Sequence, residues 1–206
     1  MDSIKSRFAA ICPTTEGWCT VEKANKLIDI VNDVTPFLTV ELGVFCGKSL
    51  VALAMASKAK NPSSKCIGID SWTKTVSIEG TNDKANDDWW AKLDYDWIYR
   101  YASNLMRQEG VDSIVGLWKS KSSEAASKFD INSIDILHQD SNHSEEISCS
   151  EVELYWDKVK PNGIWIFDDT NWATTQKAQT LLVSKGYSEI VTETNRCWTV
   201  YRRSNY

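Results

Sequence analysis

The sequence predicts an α/β fold: a doubly wound, mostly parallel seven-stranded sheet covered by helices on both faces and ending in an antiparallel C-terminal hairpin. Three observations carry this prediction. Short apolar runs of strand length alternate with helix-period segments along the chain. Acidic residues stand at the ends of four of those runs. The last two runs meet across a tight Asn195-Arg196 link. Taken in order, Ala24, Leu27, Ile28 and Val31 share one face of a helix over 21–32, and FLTVEL (37–42) is the first strand. An alanine-rich helix from Ser49 to Lys60 leads to a second strand, CIGID (66–70). Trp97, Tyr101 and Leu105 form a helical stripe that Gly110 can end, and SIVGLW (113–118) is the third strand. A short helix near 122–128 precedes SIDILHQD (133–140), and a helix over 145–159 precedes IWIFDD (164–169). A helix over 173–185 stops at Gly186, and SEIVTET and CWTVYRR are the hairpin strands. Residues 71–95 fit neither period and read as an insertion over the site, a lid or an oligomer arm, within one domain spanning 1–206.

Composition narrows the function classes. With 206 residues, 42% hydrophobic and 25% charged, the chain can build one compact core. A net charge of −5 gives no general attraction to nucleic acid, so a small-molecule partner is expected. No apolar run approaches the ~20 residues of a membrane helix, and the N-terminus lacks an apolar segment with a small-residue cleavage site. A soluble, cytoplasmic protein is therefore expected, monomeric or homo-oligomeric. Six cysteines without a C-x-x-C pair read as reduced packing residues, not as a disulfide or zinc framework. Ten tryptophans are many for this length; Trp89 and Trp90, with Tyr95, fall in the insertion, where flat rings can stack on a substrate.

In an open parallel sheet, ligands bind beyond the carboxyl ends of the strands. Glu41, Gly43 and Gly47 follow the first strand, Asp70 ends the second, Asp140 the fourth, and Asp168 and Asp169 the fifth. The loop ends in Gly47-Lys48-Ser49, as a triphosphate-binding loop does, and IWIFDD could serve as its Mg²⁺-holding strand. Such a loop needs four residues between its first glycine and Gly-Lys-Ser, and here only Val44, Phe45 and Cys46 intervene. A dinucleotide loop needs glycine two residues after its first, where this chain has Phe45. Asp70 lies 23 residues after Gly47, suited to accept both hydroxyls of a ribose. These parts suit a nucleoside that carries an amino acid. Its carboxylate would sit on helix N–H groups and Ser49, and its ammonium needs an acceptor. Glu41 fits that need, because a carboxylate in an apolar strand is costly unless paired. Lys48 reads as a surface residue of the first helical turn.

The ordered motifs E-L-G-V-F-C-G-K-S, G-I-D-S-W, I-D-I-L-H-Q-D-S-N-H-S and K-P-N-G-I-W-I-F-D-D resemble those of the class I S-adenosylmethionine-dependent methyltransferases. The resemblance covers about residues 15–200 and implies a Rossmann-like sheet with S-adenosylmethionine on Glu41, Gly43, Gly47, Ser49, Asp70, Ser122 and Asp140. The last two motifs are similar to those of small metal-dependent O-methyltransferases acting on antibiotic sugars and, more distantly, catechols. That likeness implies a divalent cation, usually Mg²⁺, on Asp140, Asp168 and Asp169, which binds the acceptor's hydroxyls. Mg²⁺ prefers about six hard oxygen ligands and keeps places for water or substrate. His143, three residues after Asp140, is then placed as general base. Plainer readings stay open: Asp168-Asp169 as a helix cap, His143 as a helix-start residue, Ser122 as a cap, and His138 as a structural or supporting residue inside its strand. A metal-independent S-adenosylmethionine-binding relative and an ATP- or GTP-binding protein are the alternative functions.

Overall fold

The structure, a computed structural model, describes residues 1–192 and 197–205. Seven strands form one sheet: β1 (Leu38–Leu42), β2 (Lys65–Asp70), β3 (Val115–Lys119), β4 (Ile134–Gln139), β5 (Val159–Asp168), β6 (Tyr187–Thr192) and β7 (Trp198–Arg203). Their order is β3-β2-β1-β4-β5-β7-β6, parallel through β5 and antiparallel at β7 and β6. The chain order reverses between β1 and β4, which is where this architecture places a ligand. The register there sets Glu41 of β1 beside His138 of β4. The predicted Asn195-Arg196 link lies outside the described residues.

Three long helices cover one face: α1 (Asp2–Ile11), α2 (Val21–Val34) and α3 (Lys48–Lys60), joined later by α6 (Tyr95–Gln108). The helix α2 starts where the Thr20 hydroxyl accepts the backbone N–H of Lys23 at 3.1 Å, and it stops at Thr35, which adopts a left-handed φ of 52°. The apolar stripe predicted for α2 is buried as Ala24, Leu27, Ile28 and Val31. Lys23 is buried with them, only 7% exposed. The opposite face carries α7 (Ser122–Ala125), α8 (Glu145–Tyr155) and α9 (Gln176–Ser184), packed over Trp165 and Phe167 of β5.

Three local differences from expectation have physical reasons. The helix predicted over 145–159 ends at Tyr155, because Pro161 disfavours helix just before it, and β5 already begins at Val159. The helix α1 gave little signal in the sequence because Phe8 is its one buried residue. Residues 71–95 hold two short helices, α4 (Lys74–Ser77) and α5 (Lys84–Trp90), the second capped by Asp83, whose carboxylate accepts from Ala85 at 2.8 Å. Among the described residues no helix is long and apolar enough to cross a membrane. Among the described residues the cysteines form no disulfide, and Cys19, Cys46 and Cys66 are buried.

Candidate active site

The loop after β1 is built around two left-handed glycines. Gly43 has φ of 82°, and a side chain there would run into the Asp140 carbonyl and lie 2.6 Å from Ser141 Cα. Gly47, with φ of 84°, caps α3 and turns the loop into the helix. Between them the loop amides point at Asp70. Its Oδ2 accepts the N–H groups of Val44 and Phe45 at 3.0 Å each, and Oδ1 accepts that of Trp72 at 2.7 Å. A carboxylate oxygen has two lone pairs, so these bonds orient Asp70, fill Oδ2 and leave one acceptor site, on Oδ1, for a hydroxyl. Burial pushes the Asp70 carboxyl above its ordinary range, against the pull of those three amides.

A cavity of about 1180 Å³ opens over this loop. Gly43, Ser49, Asp70, Ser122 and Asp140 all line it, so five of the seven expected cofactor residues meet around one space. Glu41 and Gly47 lie behind its wall. Glu41 is fully buried; the Ser49 hydroxyl donates to its Oε1 at 3.0 Å, and its Oε2 lies 2.9 Å from His138 Nδ1. Burial raises the Glu41 carboxyl to about 8 and lowers the His138 imidazole to about 3. Burial thus favours the uncharged form of both groups, and the Oε2–Nδ1 contact is a hydrogen bond whose proton either partner can carry. Lys48, read from the sequence as a surface residue, is half-buried and lines the same cavity, its ammonium donating to the Gly17 carbonyl at 3.1 Å.

The far end of the cavity is acidic. Asp140, Asp168 and Asp169 all line it, with Lys23, His143 and Trp172. The structure divides the expected trio of carboxylates into two groups that share Asp140. In the outer group, ligand atoms of Asp140, His143 and Asp169 lie within 4.8 Å of one another. His143 Nε2 is 2.7 Å from Asp169 Oδ2, an ion-pair contact without hydrogen-bond alignment, and its ring packs on Trp172 at 4.7 Å. In the inner group, Asp168 sits against His138, 3.4 Å from Nε2, and carries the Lys23 ammonium. Lys23 Nζ is also 3.9 Å from Asp140 Oδ2. Burial raises the Asp140 carboxyl, and Asp169 raises it further against Lys23, His138 and His143. For His143 burial opposes the charged form, but Asp169, then Asp140 and Glu151, outweigh it, and the imidazole ends above its ordinary value.

Several residues at the site were not singled out from the sequence. Lys23 is one; its signal was its place in the stripe of α2, four residues before Leu27. Glu151 is another. Buried beneath the Asp140 turn, it accepts from Ser141 Oγ at 2.6 and 2.7 Å and from Gln139 Nε2 at 2.9 Å, which fixes the backbone after β4. At the cavity mouth, Trp18, 66% exposed, meets Phe45 at 5.1 Å and Trp89 at 5.4 Å, and Trp90 meets Phe45 at 5.7 Å. The insertion thus closes against the loop before α2 through rings.

A seven-stranded sheet of this order, with a glycine loop after β1 and acidic residues beyond β2, β4 and β5, is the architecture of class I methyltransferases. Residues 40–170 match the family described as a methyltransferase domain, and the chain belongs to that family. Solved structures share the fold at low identity. The O-methyltransferase NovP superposes with a TM-score of 0.70 at 14% identity, over 89% of this chain and 80% of its own. The O-methyltransferase TomG from Streptomyces achromogenes, in complex with SAM, gives 0.65 at 13%, over 99% and 91%. A methyltransferase from Geobacter sulfurreducens gives 0.65 at 15%, over 99% and 89%. No curated protein matches the sequence.

Proposed function

We propose that the protein transfers a methyl group from S-adenosylmethionine to a hydroxyl of a small acceptor, sugar or phenol, with a divalent cation, Mg²⁺, at the acidic end of the cavity. One observation carries the reading: a single cavity joins the cofactor residues Gly43, Ser49, Asp70 and Ser122 to the Asp140–His143–Asp169 group. Its volume exceeds the ~300–1,000 Å³ usual for one ligand, room for two small molecules side by side. The naming of NovP and TomG as O-methyltransferases supports the same class.

Asp70 would hold the ribose, and the start of α3 with Ser49 the amino-acid end. Glu41, fully buried and bonded to Ser49, orients that hydroxyl from behind the cavity wall. At the other end two carboxylates on separate strand ends suit a hard divalent ion, and the His143 imidazole beside them keeps its Nε2 lone pair for a proton. Asp140 and Asp169 would hold such an ion, which lowers the pKa of a hydroxyl bound to it. His143 Nε2 takes the acceptor's proton, and Asp169, 2.7 Å away, favours the imidazolium that forms. Trp89 and Trp90 on α5 form a lid that excludes water and supplies a flat wall for the acceptor.

Calorimetric titration with S-adenosylmethionine and with ATP, each in Mg²⁺ buffer, tests this reading. Micromolar binding of the first and none of the second is expected; binding of ATP alone overturns it. His143→Ala should lower turnover by roughly a hundredfold. A loss of under about threefold would return His143 to a structural role.

The Glu41–His138 pair has a consequence for stability. Glu41 has a folded pKa raised to about 8 from 4.5. Its contribution is therefore fully present below pH 4.5, declines as pH rises, and is gone above about 8. Glu41→Gln mimics the protonated acid, so its melting temperature should fall less than that of the wild type between pH 5 and pH 8, both measured by calorimetry. Parallel curves would show that Glu41 is ionised in the fold.

A further inference from the structure

Lys23 and Asp168 form an ion pair that the methyl-transfer reading does not use. The lysine is 7% exposed, its backbone N–H fixed by the Thr20 cap, and its side chain runs from α2 across the sheet end to Asp168 and toward Asp140. Asp168 is itself nearly enclosed, its side chain 11% exposed against 30% for Asp140 and 29% for Asp169. Beside it, the fully buried His138 turns Nε2 to Asp168 without an aligned hydrogen bond. An imidazole nitrogen and two carboxylates from β4 and β5, all within 4.8 Å, are the donors of a metal site. The ammonium lies on this group instead.

We infer that Lys23 is the resident cation of the inner group: its ammonium takes the place on Asp168 that a metal would otherwise take, and so confines the divalent ion to Asp140 and Asp169. Charge supports the division. Three carboxylates converge here, one is neutralised by the ammonium, and the remaining two match one divalent ion. A metal in the inner group would have to expel a buried ammonium from Asp168, the nearer of its two carboxylate partners. Lys23 also acts on the outer group through Asp168. The Asp168 Oδ1 accepts the backbone N–H of Asp169 at 3.2 Å, and Asp169 has a left-handed φ of 51°, so the pair helps to hold the turn that aims Asp169 into the cavity. Lys23 is thus a positioning residue. The inference rests on the divalent-ion reading for the outer group only.

Titration of the full chain with Co²⁺, followed by calorimetry and by visible absorption, tests this without a methyl-transfer assay. Wild type and Lys23→Arg should bind one ion. Lys23→Met, which keeps an unbranched side chain one atom shorter and removes the charge, should bind two, with a new absorption component from the His138 nitrogen. Asp168→Asn should still bind one ion, and Asp169→Asn none. Circular dichroism and S-adenosylmethionine affinity report whether each variant folds; if Lys23→Met does not, the comparison of Asp168→Asn with Asp169→Asn decides alone. Loss of the single ion in Asp168→Asn, with one ion still bound by Lys23→Met, overturns the inference and leaves the cation reading intact. No ion on wild type but one on Lys23→Met keeps Lys23 as the cation of the inner group, and overturns both the confined outer ion and the cation of the proposed function. No ion on any of these proteins overturns both.

Discussion

Asp169→Ala is expected to abolish Mg²⁺-stimulated methyl transfer, with a fall of roughly a thousandfold or more, while S-adenosylmethionine affinity changes by less than about twofold. The magnitude follows from what a bound cation contributes: charge stabilisation worth several kcal/mol, at about 1.4 kcal/mol per tenfold in rate. The separation follows from position. Asp169 lies at the acidic end with His143 at 2.7 Å, whereas the loop amides and Asp70 that would hold the cofactor stand on β1 and β2. The same substitution removes the partner of His143, so proton transfer and ion binding fail together, and added Mg²⁺ should not restore the rate. Rates against Mg²⁺ concentration, paired with calorimetry on the cofactor, check both halves. Equal loss of cofactor affinity and rate would show that the two ends are one site, and the assignment of separate roles would fall.

The division between Asp168 and Asp169 shows what could be read from the residues alone and what could not. Strand-end logic brought Gly43, Asp70, Asp140 and both aspartates to one end of the sheet, because parallel strands share their carboxyl ends and the apolar runs marked where each strand stops. It treated Asp168 and Asp169 as equivalent. Successive side chains of a strand point to opposite faces, so two adjacent aspartates can both reach the cavity only if the backbone turns between them. The left-handed φ of Asp169 is that turn, and nothing in the residue types announces it. Lys23 escaped for another reason. Its partner lies 145 residues away, and in a helix whose stripe is otherwise apolar a lysine reads as solvent-facing until the tertiary contact is known. Glu41 was recognised as a carboxylate in need of a partner; the partners proved to be Ser49 and His138, both within the protein.

Gly43→Ala is expected to cost about 3 kcal/mol of stability and to reduce S-adenosylmethionine affinity by at least about tenfold. Two costs add. A non-glycine residue held at a left-handed φ loses about 1–2 kcal/mol, and overpacking a close contact adds about 1–3 kcal/mol. The new methyl would meet main chain on the β4 side, the Asp140 carbonyl and Ser141 Cα, not the movable end of a side chain. Relief therefore requires the β1 loop to draw away from β4. Because β1 lies between β2 and β4, that shift would press the loop toward β2 and distort the bonds that Val44 and Phe45 make to Asp70 Oδ2, and would move Asp140 relative to the cavity. Cofactor binding should suffer even in the fraction that stays folded, because ribose acceptor and loop are positioned by the same bonds. Chemical denaturation gives the stability loss, and calorimetry well below the unfolding midpoint gives the affinity. Near-normal affinity in a destabilised variant would show that the loop's contact with β4 supports the fold alone, and would remove Gly43 from the cofactor site.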